Sequence, residues 1–282
     1  VALNVSPATL VGGRLHEVAL VPGTLRGAPV VVELTEHVPV SDYDALAAAF
    51  NDTFAHFNLP VHWSEEDYAE KVRIGGGKER LASLLTSDFI ASANLPTDEA
   101  AQIELVKRWH RFKTDRYTAK VRADEMPGRP GIARIVATAH DAGWLLAVAS
   151  TSAEESVRAV LEHAVGAESA SWFRVYAGDV VPAKKPAPDI YLLALRDLGV
   201  DAADAVVVED SQNGLRAAAA AGITTVVTVS SYTADEDFTE AALVVDSLGD
   251  QPQTPARFLS NPRGVEETGQ VTLDTLTALT TR

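Results

Sequence analysis

Four polar residues that follow apolar segments of this chain could together bind a phosphate group. They are Ser150, Lys185 and the neighbours Glu209 and Asp210. A hydroxyl at the C-terminal tip of a strand, followed by the first amides of a helix, makes a small anion site. A lysine ammonium pairs with phosphate as a compact point charge. Two adjacent carboxylates after a run of valines are costly unless a cation compensates them, and Mg²⁺ prefers such oxygen ligands. These residue types predict a site for a phosphate group and a metal ion.

Each of these residues also has a simpler structural interpretation. Ser150 fits equally well as a cap of the helical segment that begins near residue 153. A lone Lys-Pro pair is usually a solvated turn, but the pair at 185–186 is followed by Ala-Pro-Asp-Ile-Tyr and a helical segment. Glu209 and Asp210 would, in the simpler interpretation, be a charged strand end that faces solvent. The strand–loop–helix pattern that continues to residue 221 favours the functional interpretation.

The composition limits the class of protein. The chain has 282 residues, which suits one or two domains with a sizeable core. Its 24 Lys and Arg against 39 Asp and Glu give a net charge of −15, which argues against nucleic acid and anionic membranes as partners. It has no cysteine for disulfides or thiolate chemistry, and no apolar run of the roughly 18 residues that a transmembrane helix needs. The chain starts at Val1, which favours a precursor processed after organelle import, although a trimmed sequence would start the same way.

The periodicity along the chain predicts an α/β fold with an inserted helical domain. Apolar runs that alternate with Ala-rich helical segments are typical of a doubly wound parallel sheet covered on both faces. Such runs lie at 30–32, 145–149, 173–176, 206–208 and 223–228. Between the first two runs, apolar residues recur at a spacing of three or four, which indicates helices with one apolar face.

We therefore predict the following organisation. Residues 1–29, which are rich in Gly, Pro and Val, form an N-terminal extension that serves as a docking arm for a partner. Residues 30–43 and 121–282 form the core domain, and residues 44–120 form a helical cap. Residues 251–270 are expected to be a loop before a last short helix.

Three segments of the chain resemble motifs of the haloacid dehalogenase (HAD) phosphatases. Residues 145–152, 183–191 and 206–214 are similar to motifs II, III and IV of that family. Further stretches resemble its CbbY-like, β-phosphoglucomutase-like branch of sugar-phosphate phosphatases: Ala49–Asp52, His62–Trp63, Gly75–Arg80, Lys113–Thr114 and Lys184–Tyr191. The resemblance covers residues 30–282 and implies a Rossmann-like core with an inserted cap. It also implies a sugar phosphate as ligand and Mg²⁺ as the cofactor of an active enzyme.

The resemblance also implies roles for individual residues. Phosphate contacts would come from Ser150, Lys185, Lys78 and Arg80, and metal contacts from Glu209 and Asp210. His62 and Trp63 would line the cap. Without the family, Lys78 and Arg80 are simply the positive start of a helix, which is more often solvated than functional.

The first motif departs from the family pattern. The family has a strand ending in Asp-x-Asp-Gly-Thr, whose first Asp attacks phosphorus, and spacing places that loop at Glu33-Leu-Thr35-Glu36-His37. Glu33 sets its carboxylate one methylene further out, and a misplacement of about 1 Å can cost about a hundredfold in rate. Thr35 cannot act as the acid or base for the leaving group. Glu36 and His37 replace the glycine and the phosphate-binding threonine.

Two hypotheses follow from this conflict. The preferred one is a catalytically impaired pseudo-phosphatase, kept as a structural or interaction subunit that needs no cofactor. The alternative is a Mg²⁺-dependent sugar (bis)phosphate phosphatase working with Glu33, or a sensor that binds a sugar phosphate without turnover. With the first Asp lost, we expect weak or no Mg²⁺ binding, with Lys185 within salt-bridge reach of a carboxylate. The resemblance and the start at Val1 favour a plastid location, with the cytoplasm otherwise.

Overall fold

Short apolar strands form a sheet that occupies the centre of the molecule. The computed structural model describes residues 30–32, 41–123, 128–230 and 232–280. The strands of these residues are β1 (Val30–Val32), β2 (Leu146–Ser150), β3 (Phe173–Ala177), β4 (Val206–Glu209), β5 (Thr224–Thr228), β6 (Leu243–Val245) and β7 (Phe258–Ser260). Their order is β3-β2-β1-β4-β5-β6-β7, in which neighbours from β3 to β6 are parallel and β7 is antiparallel to β6.

Burial on both faces explains why the central strands are continuously apolar. On β2, Leu146 and Val148 contribute to one apolar cluster, whereas Ala147 and Ala149 contribute to another on the opposite face. The same alternation holds along β4. Because successive side chains of a strand point to opposite faces, a strand covered on both sides needs an apolar residue at every position.

Helices α1 to α5 follow β1 and pack on one another. They are α1 (Ser41–His56), α2 (Glu65–Val72), α3 (Gly77–Ala82), α4 (Ser87–Ser92) and α5 (Glu99–Arg122). Their apolar centre is aromatic: the ring of Phe50 lies 5.1 Å from that of Trp63 and 5.7 Å from that of Tyr68, between centroids. A capping box at Ser64 and Asp67 fixes the start of α2. We call these five helices the cap.

The remaining helices cover the sheet. They are α6 (Ile132–Asp141), α7 (Glu154–Ala170), α8 (Asp189–Leu198), α9 (Gln212–Ala220) and α10 (Leu273–Thr280). Helix α7 connects the sheet to the cap, because its residues Ala159 and Val160 belong to the apolar cluster of the cap while Val157 and Leu161 belong to that of the sheet. Among the described residues, no helix is long and apolar enough to cross a bilayer.

The predicted fold class is confirmed, and the predicted strands are found within one or two residues. The prediction of a loop over residues 251–270 is wrong in part, because Phe258–Ser260 form the edge strand β7. A three-residue strand paired on one side only and mostly exposed leaves no periodic pattern to detect. The proposed docking arm, residues 1–29, lies outside the described residues, and the division into domains stays a prediction.

We expect Phe50→Ala to destabilise the cap strongly. Phe50 is fully buried, and its ring contacts three other aromatic rings, so truncation leaves a cavity in a packed centre. The expected loss is about 3–5 kcal/mol in the free energy of unfolding, measured by urea denaturation. Leu192→Ala, at a side chain that is 48% exposed, serves as the control. A loss no larger than that of the control would contradict the described packing.

Candidate active site

The four predicted site residues of the core gather at one edge of the sheet. Ser150 is the last residue of β2 and Glu209 the last residue of β4, and both strands pair with β1 in parallel register. The C-terminal end of β1 therefore lies between them, where ligands bind in doubly wound sheets. The residues that follow β1, including the candidate nucleophile Glu33 and Thr35, lie outside the described residues.

Lys185 and Glu209 form a buried ion pair at this edge. The Nζ atom of Lys185 donates to Glu209 Oε1 at 2.8 Å, to the carbonyl of Ala149 at 2.9 Å and to the hydroxyl oxygen of Tyr191 at 3.0 Å. The Tyr191 hydroxyl in turn donates to Glu209 Oε1 at 3.0 Å. The expectation that Lys185 lies within salt-bridge reach of a carboxylate is confirmed. The hydrogen-bonded group also includes Tyr191, which the prediction did not single out.

The second oxygen of Glu209 anchors the turn that follows β4. Oε2 accepts from the amide of Asp210 at 2.9 Å and from the amide and the hydroxyl of Ser211, both at 3.2 Å. With both carboxylate oxygens engaged by protein donors, Glu209 serves as the internal counter-charge of Lys185. Asp210, which is 2% exposed, is then the residue of the two that is placed to meet a metal.

Burial and charge act in opposite directions on this pair. Burial alone would raise the pKa of Glu209, but the charge and hydrogen bond of Lys185 and the amides of Asp210 and Ser211 outweigh it, so this pKa lies below its ordinary value. Burial lowers the pKa of Lys185, and the charge of Glu209 opposes that shift. Burial and then the charge of Glu209 raise the pKa of Tyr191 well above its ordinary value, so its hydroxyl stays a donor. The Glu209 carboxylate is therefore ionised at neutral pH.

Helix α9 approaches Glu209 closely because residue 214 is a glycine. A Cβ atom at Gly214 would lie 1.5 Å from Glu209 Oε1. The hydroxyl of Ser211 accepts from the Gly214 amide at 3.2 Å and caps α9. The turn from Glu209 to Gly214 therefore requires a residue without a side chain at position 214.

Ser150 lies beside the start of α7. Its side chain is buried, and its hydroxyl oxygen accepts from the amide of Ser152 at 3.2 Å. The N-cap of α7 is Ala153, which has no side-chain oxygen, so Ser150 is not the cap of that helix. The hydroxyl and the uncapped amides of the first turn of α7 are donors suited to a small anion.

Lys78 and Arg80, the two cap residues for which the resemblance implied phosphate contacts, have different surroundings. Lys78 reaches across to the core and pairs with Asp179 in the loop after β3. Arg80 is 3% exposed, and its guanidinium donates to the Tyr68 hydroxyl and to three backbone carbonyls. These contacts all lie within the cap, as does the buried ring of Trp63. The phosphate contact of Arg80 stays a prediction, whereas the structure gives it a clear role in holding the turn before α3.

Asp210 supplies the kind of ligand that Mg²⁺ prefers. It is a buried carboxylate at the C-terminal edge of the sheet, beside the end of β1. Within residues 30–32, 41–123, 128–230 and 232–280, no three His, Asp or Glu side chains gather as a metal site. Asp210 therefore fits the metal.

Sequence reasoning missed Tyr191, Asp179 and Lys184 as parts of this region. Tyr191 lies within a stretch that carried the resemblance, so a signal existed, but its contact with Glu209 depends on how α8 packs. Lys184 begins that same stretch, whereas Asp179 lies before it, among loop charges that resemble any solvated turn. No local pattern shows that they face the cap.

Comparisons with known proteins point to one family. The family model of haloacid dehalogenase-like hydrolases matches residues 21–222. A CBBY-like protein of Arabidopsis thaliana is 44% identical over 76% of this chain, which spans 66% of that protein, just under two thirds of its length. Protein CbbY of Cereibacter sphaeroides is 41% identical over 72% of this chain and 84% of its own. A mutant CbbY from Rhodobacter sphaeroides, solved with xylulose-1,5-bisphosphate, is 36% identical with a TM-score of 0.68, over 78% of this chain and 94% of that one.

We expect Lys185→Met to destabilise the protein in a pH-dependent way. Removing one partner of a buried ion pair costs about 3–5 kcal/mol at neutral pH, because Glu209 is left charged and buried. Since the pKa of Glu209 lies below its unfolded value of 4.5, the pair stabilises the native protein above that value and less so as the pH falls through the folded pKa. In the variant the pKa of Glu209 rises, so the gap to the native protein narrows on acidification.

The measurement is the free energy of unfolding of both proteins between pH 8 and pH 4. Lys185→Met combined with Glu209→Gln should recover part of the loss at neutral pH, since it removes the uncompensated charge. A gap that is constant with pH, or a double variant as unstable as the single one, would contradict the ion pair.

We expect Gly214→Ala to destabilise the turn after β4. Alanine in place of glycine ordinarily stabilises a helix by about 0.4–1 kcal/mol, so a loss is diagnostic of the clash with Glu209. Overpacking of this kind costs about 1–3 kcal/mol, measured by thermal and urea unfolding. Arg216→Ala, at an exposed side chain of the same helix, is the control. Stabilisation by Gly214→Ala would show that Glu209 does not lie against this glycine.

Proposed function

This chain belongs to the haloacid dehalogenase-like hydrolase family, in its CbbY-like branch, and on that premise we propose that it is a sugar-phosphate phosphatase. The observation that carries the proposal is the buried Lys185–Glu209 pair with Asp210 beside it, at the sheet edge that also holds Ser150. A buried lysine held in one orientation by three hydrogen-bond acceptors is costly to build for stability alone. Its position next to the end of β1 supports a role in binding an anion there.

The described residues divide the work of such a site. The Ser150 hydroxyl and the first amides of α7 would bind phosphate oxygens, and the Lys185 ammonium would balance their charge. Asp210 would hold Mg²⁺, which supplies charge neutralisation of the phosphoryl group when bound. Lys78, on the cap, would contact the part of the substrate that faces away from the core. Glu33 is the carboxylate available at the nucleophile position.

The sequence Glu33-Leu-Thr35-Glu36-His37 favours a second candidate function. In it the protein binds a sugar phosphate without turning it over and acts as a subunit of a larger assembly, with residues 1–29 as the docking arm. The motivation is that the longer carboxylate, the missing acid or base and the missing glycine fall in one loop. Under both candidates we propose a plastid location, supported by the likeness to a plant protein.

Phosphate release from a panel of sugar mono- and bisphosphates, with and without Mg²⁺, tests the proposal. We expect turnover near the usual enzyme value of about 10 s⁻¹, lost by on the order of 10²-fold or more in Lys185→Met and in Asp210→Asn. Arg196→Gln, at an exposed ion pair on α8, is the control and should keep full activity. Turnover that persists in both site variants would exclude this edge of the sheet as the active site.

A rebuilt first motif separates the two candidates. The quadruple variant Glu33→Asp, Thr35→Asp, Glu36→Gly and His37→Thr restores the family pattern. If the native protein binds a sugar phosphate but releases no phosphate, while the quadruple variant does, the second candidate is correct. If the native protein is active and Glu33→Gln abolishes the activity, the phosphatase is established.

A further inference from the structure

A second group of charges, separate from the Lys185 pair, joins the cap to the core. Lys78 and Glu79 belong to α3 of the cap, whereas Asp179 and Lys184 belong to the loop between β3 and α8. The Lys184 Nζ atom lies 2.8 Å from Glu79 Oε1 and 3.1 Å from Asp179 Oδ1, and Lys78 pairs with the other oxygen of Asp179. The four residues form an alternating chain of positive and negative groups across the boundary.

Lys184 is the centre of this chain. Its side chain is 17% exposed, compared with 58% for Asp179 and 36% for Lys78. Burial lowers the pKa of Lys184, but its hydrogen bonds to Glu79 and Asp179 outweigh burial, so this pKa lies above its ordinary value. The hydrogen bond from Lys78 and then that from Lys184 hold the pKa of Asp179 below its ordinary value despite burial. Lys184 therefore contacts Glu79 of the cap and Asp179 of the core loop at once.

Glycines of the cap allow this approach. A Cβ atom at Gly75 would lie 3.1 Å from the carbonyl oxygen of Lys185, and one at Gly76 would lie 3.3 Å from Lys184 Nζ. Gly76 also has a φ of +93°, a backbone conformation that favours glycine. The turn before α3 is therefore shaped to lie directly on the two lysines of the core loop.

We propose that Lys184 is a positioning residue that docks the cap on the core, and that Asp179 sets Lys78 over the site once the cap is docked. The two adjacent lysines then have separate tasks: Lys185 points into the core to Glu209, and Lys184 points to the cap. The consequence for substrate rests on the proposed function, because it concerns a sugar phosphate held between cap and core. The docking of the cap on the core is independent of the proposed function.

Distance measurements between spin labels test the docking. The chain has no cysteine, so Ser92→Cys on the cap and Asp201→Cys on the core, both at exposed positions, provide a single pair of labelling sites. We expect one narrow distance distribution in the parent and a broader one with a longer component in Lys184→Met. Asp179→Asn combined with Glu79→Gln should give the same change, and high salt should reproduce it in part.

The control is Arg116→Met, which breaks a more exposed ion pair with Asp52 inside the cap and should leave the distribution unchanged. Circular dichroism of each variant shows that it is folded. In kinetics with a sugar phosphate, we expect Lys184→Met to raise KM about three- to tenfold and to change kcat less than twofold. A KM change of this size corresponds to the loss of two partly exposed ion pairs. If the protein binds without turnover, the dissociation constant takes the place of KM.

An unchanged distance distribution in both Lys184→Met and the Asp179–Glu79 double variant would overturn the inference and leave the proposed function untouched. A changed distribution in a protein that neither binds nor hydrolyses sugar phosphates would keep Lys184 as the docking residue. In that case only the proposed function would fail.

Discussion

The ion pair between Lys185 and Glu209 is the constraint on which the site depends. It joins three parts of the core: the end of β2 through the Ala149 carbonyl, α8 through Tyr191, and the turn after β4 through Glu209. Because both charges are buried, neither can move without leaving the other uncompensated. The pair therefore fixes the positions of Asp210 and of the first turn of α9 as firmly as an apolar contact would.

This arrangement separates structural charge from functional charge. Glu209 accepts hydrogen bonds at both oxygens and balances Lys185, so it holds the site together rather than reacting in it. Asp210, one residue later, lies at the sheet edge where a metal and a phosphate would meet. On the cap, Arg80 and Lys78 divide in the same way, since Arg80 holds backbone carbonyls of its own turn and Lys78 faces the core. Residues of the same charge that lie one or two positions apart thus have different roles.

The same division holds for the two lysines of the β3–α8 loop. Lys185 orders the interior of the site, and Lys184 meets the cap. The turn before α3 approaches the backbone of this loop closely, since a Cβ atom at Gly75 would lie 3.1 Å from the Lys185 carbonyl oxygen.

Most of the strands and part of the candidate site could be predicted from the sequence. The apolar runs predicted the parallel strands β1 to β5 but not the parallel strand β6, since a strand buried on both faces needs a continuous apolar segment and β6 has only three residues. The sequence placed Ser150 at the end of one strand and Glu209–Asp210 at the end of another, and the structure has Ser150 and Glu209 as the last residues of β2 and β4. Lys185 lies in the loop before α8 and meets Glu209 at this edge. The short strand β7 escaped detection because an exposed edge of three residues has no periodic signature.

Only the tertiary structure decided what each charged group does. The sequence shows four lysine and arginine residues of similar appearance, Lys78, Arg80, Lys184 and Lys185, but not which carboxylate or carbonyl each one meets. Those partners lie up to about a hundred residues away, as with Lys78 and Asp179. Charge pairing depends on distance and burial in the folded chain, and neither is encoded in local spacing. The sequence determined which chemical groups are present and on which elements, and the packing of the cap on the core determined their roles.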